Sequence, residues 1–193
     1  MLTLPLSPTR RELLAENARL RDELAALRSQ AELAYRDALT GLYNRRHFEE
    51  RLAQELALSR RTGRPGSLLV VDLDDFKRVN DERGHLAGDE VLRQVASFLR
   101  AHLRTEDVIC RTGGDEFAVL LPQTDESGVL QLIQRLRDPL SLEPERLQFS
   151  LGFASWPRRG LGREELMHAA DAAMYEDKRR RKQARVLPLP KAA

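Results

Sequence analysis

Two acidic clusters have the residue types and spacing to do chemistry. The first, Asp72-Leu73-Asp74-Asp75, closes a continuously apolar run that begins at Ser67. The second, Asp115-Glu116, follows the glycine pair Gly113-Gly114. Carboxylates at the ends of neighbouring strands can share a hard cation. Mg²⁺, with Mn²⁺ as an alternative, takes oxygen ligands of this kind, commonly together with substrate phosphates. No His/Cys grouping suits Zn²⁺. Taken alone, an acidic hairpin tip is more often a solvated turn, so these residues by themselves leave the cation open. A third cluster, Lys178-Arg-Arg-Arg-Lys182, reads in an arbitrary protein as a solvated helix end favoured by the helix dipole.

Such groups work only when rigid elements hold them. The run Ser67-Leu-Leu-Val-Val-Asp72, entered through the break Gly63-Arg-Pro-Gly66, predicts a buried central strand. Around it the pattern predicts helices over about 45–62, 75–82, 88–104, 126–137 and 163–181. Further strands are expected at about 108–112, 116–121 and 147–154, with a short last one at Ala184–Leu187. The glycine pair between the second and third strands provides for φ > 0 and for close approach of backbone to a ligand. The fold class is α/β, a sandwich with an antiparallel hairpin near its middle.

Composition sets the outer bounds. The chain has 193 residues, 32 Lys+Arg against 30 Asp+Glu, and 41% hydrophobic residues. That is enough apolar material for one core and argues against global disorder. The near-balanced charge of +2 argues against bulk nucleic-acid binding. No apolar run approaches the ~18 residues of a membrane span, and the opening eight residues are too short and Pro-broken for a signal peptide. A single cysteine, Cys110, excludes an internal disulfide; a cytoplasmic setting is the default expectation.

The first segment reads differently from the rest. From Thr9 to about Arg36 there is no glycine, and Leu13, Leu20, Leu27 and Ala34 recur every seven residues. Asn17, Leu24 and Ala31 sit four residues after the first three of these, which makes an a/d heptad with Asn17 at a. Ser7 or Thr9 supplies the N-cap, and Pro8 suits a first helical turn. A narrow apolar stripe with one a-position Asn predicts a parallel coiled-coil dimer; the competing reading is an amphipathic helix folded back on its own domain. The expected organisation is a tail at 1–8, a coiled-coil helix at 9–36, a catalytic domain at 37–187 and a tail at 188–193.

From Asp37 to Lys182 the chain resembles the GGDEF family of diguanylate cyclases. The naming motif stands as Gly113-Gly114-Asp115-Glu116-Phe117. Asp37-Ala-Leu-Thr-Gly-Leu-Tyr-Asn-Arg-Arg46 looks like the opening signature, and Asp72-Leu-Asp-Asp-Phe-Lys-Arg-Val-Asn-Asp81 and Gly84-His-Leu-Ala-Gly-Asp89 look like the substrate motifs. Ser150-Leu-Gly-Phe-Ala154 and Ala170-Asp-Ala-Ala-Met-Tyr175 are similar to its late strand and helix. Six motifs in order make coincidence negligible. The resemblance implies a nucleotidyl-cyclase-like (ferredoxin-like, palm-type) sheet flanked by helices. It also implies condensation of two GTP into cyclic di-GMP and two pyrophosphates between two facing domains. Asp72, the Leu73 carbonyl and Asp115 are implied as metal ligands. Asp115 is the candidate base, with Glu116 as a second metal or hydroxyl partner. Backbone N–H groups around Asp75 and Phe76 are implied to cradle phosphates, Asn80 and Asp89 to read guanine, and Lys178 to bind triphosphate. Asp89 has a second reading as a helix N-cap. Lys182 falls where the family has an arginine, which keeps the charge but loses the bidentate fork.

Arg104-Thr-Glu-Asp107 has the spacing of the family's inhibitory product site, and Arg135 is a second-site candidate. The alternative to an active cyclase is an inactive cyclic di-GMP sensor acting through Arg104 and Asp107; a further alternative is a coiled-coil scaffold. His85 and Cys110 read as structural, Arg45 and Arg46 as salt-bridge anchors of the opening segment. The stretch Asp138–Gln148 reads as a trimmed hairpin.

Overall fold

The computed structural model describes residues 9–141, 148–157 and 162–186. The chain divides into two units, residues 1–36 and 37–193. The first holds helix α1 (Arg10–Ala34). Thr9 caps it: the Glu12 N–H donates to Thr9 Oγ1 at 3.3 Å, and the Thr9 N–H donates back to Glu12 Oε2 at 2.7 Å. Leu13, Leu20 and Leu24 are all exposed in the single chain, and Asn17 Nδ2 turns back to the Leu13 carbonyl.

The second unit is a five-stranded sheet between two helical layers. Its strands are β1 (Tyr43–Asn44), β2 (Gly66–Leu73), β3 (Val108–Arg111), β4 (Glu116–Pro122) and β5 (Phe149–Trp156), in the order β1-β3-β4-β2-β5. Only the β1–β3 pair is parallel. The helices are α2 (Arg45–Thr62), α3 (Phe76–Arg83), α4 (His85–His102), α5 (Glu126–Ser141) and α6 (Arg163–Val186).

Alternation along β2 and β4 builds two cores. Leu69, Val71, Leu73, Phe117, Val119 and Leu121 face Leu92, Val95 and Leu99 of α4 and Val129, Leu132 and Leu136 of α5. Leu68, Val70, Ala118 and Leu120 face Phe48 and Leu52 of α2 and Leu166 and Ala170 of α6. Because both faces of β2 are buried, its run is continuously apolar. Helix α6 lies close against β5 because residue 152 is glycine: a Cβ there would collide with the α6 backbone at Ala170 and Met174.

Several sequence expectations are corrected. Ala184–Val186 continue α6 as helix, so the last strand is absent there; Leu187 lies outside the described residues. The helix expected from Gly88 begins at His85, which puts Asp89 in its second turn rather than at a cap. Neither Gly113 nor Gly114 adopts positive φ; a Cβ at Gly113 would lie 2.7 Å from Glu116 Oε2, the movable end of an exposed side chain. Arg45 and Arg46 form ion pairs with Glu49 and Glu50 one turn along α2. Helix α5 extends to Ser141, and the trimmed hairpin falls mostly in 142–147, outside the described residues.

Candidate active site

The site is built at the shared end of β2, β4 and β5. Asp72 is the register partner of Glu116 on one side and of Ser150 on the other. Directly opposed residues share a sheet face, here the face that α6 and α2 cover. Two acidic residues in direct opposition repel, so this strand end calls for a cation. Helix α6 provides one: the Lys178 ammonium donates to both Asp72 carboxylate oxygens. Burial alone would lower the Lys178 pKa. The Asp72 hydrogen bond and the charges of Asp72, Asp74 and Asp115 outweigh it and raise the pKa above 10.5. One ammonium therefore feels all three carboxylates. The Leu73 N–H donates to the Asp115 carbonyl at 3.3 Å, which ties the Gly113-Gly114 turn to the β2 end.

Asp74 is held from both sides. Ser150 Oγ donates to its Oδ1 at 2.6 Å, and Arg181 Nε donates to Oδ2 at 3.3 Å. Asp75 stands at φ 58° immediately before α3, and its carbonyl accepts from the Arg78 N–H at 2.9 Å. This left-handed residue turns the chain sharply from strand into helix. Phe76, at the start of α3, packs against the core. Asn80 of α3 rests on Gly88 of α4, where any side chain would collide with the Asn80 amide, and Asp89 is the next residue. Asn80 and Asp89 are thus brought to one helix junction, apart from the carboxylate cluster in sequence but joined to it by α3.

The Gly113-Gly114 turn is clamped by residues the sequence motifs did not mark as functional. Arg111 donates to the Gly114 carbonyl from Nη2 at 2.8 Å and to Asp37 Oδ1 from Nη1 at 3.2 Å. Asp37 also accepts from the Thr40 N–H at 2.9 Å and Oγ1 at 2.6 Å. Burial pushes the Asp37 carboxyl up, but the Thr40 bonds and Arg111 outweigh it and hold it below 3.8. The Asp-x-x-Thr spacing was the available signal for this turn. Asp177 is a second missed positioner: it accepts from the Leu151 N–H at 3.0 Å and from Arg137 at 2.6 Å, fixing α6 one residue before Lys178. Glu116 also lines a cavity of about 230 Å³ with Arg45, Glu49, Arg163 and Asp171.

Lys182 is exposed and has no ion-pair partner among the described residues; Arg181, one position earlier, is the α6 residue that joins Lys178 at the carboxylates. Away from this site, the Arg104 backbone N–H donates to Asp107 Oδ2 at 2.8 Å, closing the turn before β3. Burial raises the Asp107 carboxyl above 3.8 despite that bond and the charges of Arg104 and Arg135. Arg135 donates to the His102 carbonyl at 2.7 Å, and its charge, like that of Arg104, acts on Asp107.

The donor set fits a hard cation. It consists of carboxylate and carbonyl oxygens, and a side-chain ammonium already balances Asp72. Among the described residues no group of three or more His, Cys, Asp or Glu side chains forms a metal cluster; the expected set is two carboxylates and one backbone carbonyl. No described helix is long and apolar enough to cross a membrane.

A mixed sheet with carboxylates at the paired ends of its central strands, and a basic helix laid over them, defines the class. The sequence model for the diguanylate cyclase GGDEF domain matches residues 34–184, and the chain belongs to that family. It is 43% identical over 160 residues to the diguanylate cyclase DgcP of Pseudomonas aeruginosa, covering 79% of this chain and 24% of that protein. It is 38% identical over 184 residues to the diguanylate cyclase TpbB of the same species, covering 91% of this chain and 42% of that one. The chain thus spans under half the length of these relatives. The coiled coil and GGDEF domain of DgcB from Caulobacter crescentus, solved with c-di-GMP, superposes with a TM-score of 0.75. The identity is 32%, and the match covers 88% of this chain and 92% of that one.

Proposed function

We propose that this chain is a diguanylate cyclase that condenses two GTP into cyclic di-GMP and two pyrophosphates, each domain holding one GTP. The observation that supports the reading is the strand end where Lys178 bonds Asp72, Arg181 bonds Asp74 and the Leu73 N–H bonds the Asp115 carbonyl, which gathers cations and carboxylates of the kind a nucleotide's phosphates and a metal need. Asp72, the Leu73 carbonyl and Asp115 are the groups that would hold Mg²⁺ or Mn²⁺. A cation there would offset phosphate charge and lower the pKa of the attacking 3′-hydroxyl. Asp115 and Glu116 share the work of accepting that proton. Lys178 exchanges its bond to Asp72 for phosphate oxygens, and the Asp75–Phe76 backbone supports the same phosphates at the start of α3. Asn80 and Asp89 select guanine: a carboxylate accepts from the N1–H and 2-amino edge, which adenine lacks, and leaving it unpaired is costly. Little covalent chemistry is asked of the protein; positioning and charge carry the rate.

Product inhibition acts through Arg104, Asp107 and Arg135. Dimerisation runs through α1, whose exposed Leu13, Leu20 and Leu24 need a partner, and the partner proposed is a second copy in parallel register. The test incubates purified protein with GTP and Mg²⁺ and separates products by chromatography. Cyclic di-GMP is expected from the wild type and none from Asp115→Ala; equal yields from both would overturn the site assignment.

A further inference from the structure

The ion pairs of α6 show which of the cations following Lys178 reaches the carboxylates. Arg181 and Lys182, three and four residues after Lys178, flank its face of α6 on opposite sides, about 60° one way and about 40° the other, so the contacts and not the helical phase tell them apart. Arg181 is 27% exposed at its side chain and is held at two points, Nε on Asp74 Oδ2 at 3.3 Å and Nη2 on Gln148 Oε1 at 3.0 Å. Asp74 in turn is only 6% exposed at its side chain and is fixed by Ser150. Arg179 is turned away, paired with Glu176 on the exposed side. Lys182 is exposed without an ion-pair partner among the described residues.

We propose that Arg181, rather than Lys182, is the second cation that binds the GTP triphosphate beside Lys178. The proposal rests on reading this site as a GTP half-site. A guanidinium carries five N–H donors. Asp74 and Gln148 engage one on Nε and one on Nη2, which leaves both Nη1 hydrogens and the second on Nη2 for phosphate oxygens. The fork is pre-oriented by its two anchors, so little side-chain entropy is lost when phosphate binds. A planar fork can also grip two phosphate oxygens at once, which the ammonium of Lys182 cannot. The lysine found where the family has an arginine is therefore compensated one residue earlier.

A counter-ion for Asp74 alone would look the same in the free protein, so the test must count phosphates. Calorimetry on the full chain with Mg²⁺ compares guanosine 5′-(α,β-methylene)triphosphate with GMP. Arg181→Ala is expected to weaken the triphosphate by about tenfold or more while changing GMP by less than about twofold. Arg181→Lys should fall between, and Lys182→Ala should cost less than Arg181→Ala. Equal losses for both ligands would reduce Arg181 to a counter-ion, and a larger loss in Lys182→Ala would return the role to Lys182; either overturns the proposal. Thermal unfolding reports whether each variant is folded. If Arg181→Ala is not, Arg181→Lys carries the same comparison, with a triphosphate-specific loss expected. Wild-type protein that binds neither nucleotide would overturn the half-site reading and this proposal with it. Wild type that binds normally alongside an unaffected Arg181→Ala would overturn only this proposal.

Discussion

At the residue scale, single carboxylates do separate jobs because their surroundings differ. Asp37 is ionised and bonded, and its replacement by Ala leaves Arg111 without a carboxylate and loosens the Gly114 carbonyl. Asp37→Ala should cost about 1–3 kcal/mol in urea unfolding and lower kcat more than it raises KM. Its pKa is depressed in the fold, so its stabilisation is present above 3.8 and lost as pH falls through the folded value. Asp107 has the opposite sign. Its pKa is raised by burial, so the fold loses stability as pH rises from 3.8 through the raised value. If guanine binds the Asp107 carboxylate, product affinity should weaken as pH falls through that raised value. Calorimetry with cyclic di-GMP at neutral and acidic pH checks this, and Asp107→Asn should flatten the profile.

At the element scale, α6 matters because it carries Lys178 and Arg181 to the end of β2. Its seat is Gly152, so Gly152→Leu should displace the helix. The expected cost is ~1–3 kcal/mol in stability, with a rise in KM for GTP from misplaced Lys178; denaturant melts and kinetics read the two separately. The main elements were legible in the sequence because their apolar periods are strong: β2 is buried on both faces and reads as an unbroken run. What escaped was local. Strand β1 is only Tyr43–Asn44, too short to show a period. The run Lys178-Arg-Arg-Arg-Lys-Gln183 interrupts the apolar period of α6, so no stripe leads into Ala184–Val186. Asp72 and Asp115 were visible as clusters, yet Arg181 was hidden among four other cations. One residue along a helix turns a side chain by about 100°, and composition does not record which one faces the sheet.

At the scale of the whole molecule, a charge of +2 conceals a segregated field: carboxylates at one strand end and cations on the helix over it. A reaction that joins two GTP needs two such sites, and a coiled coil through α1 would raise their mutual concentration into the millimolar range typical of short links. Replacing Leu20 and Leu24 together by Gln should convert a dimer to monomer in sedimentation, and turnover should then depend on protein concentration; an unchanged dimer would remove α1 from the seam. The most direct test of the central claim measures both products of one reaction. With GTP and Mg²⁺, pyrophosphate and cyclic di-GMP should accumulate in a two-to-one ratio, and both should vanish in Asp115→Ala. Wild-type protein that binds cyclic di-GMP tightly but forms neither product would contradict the account.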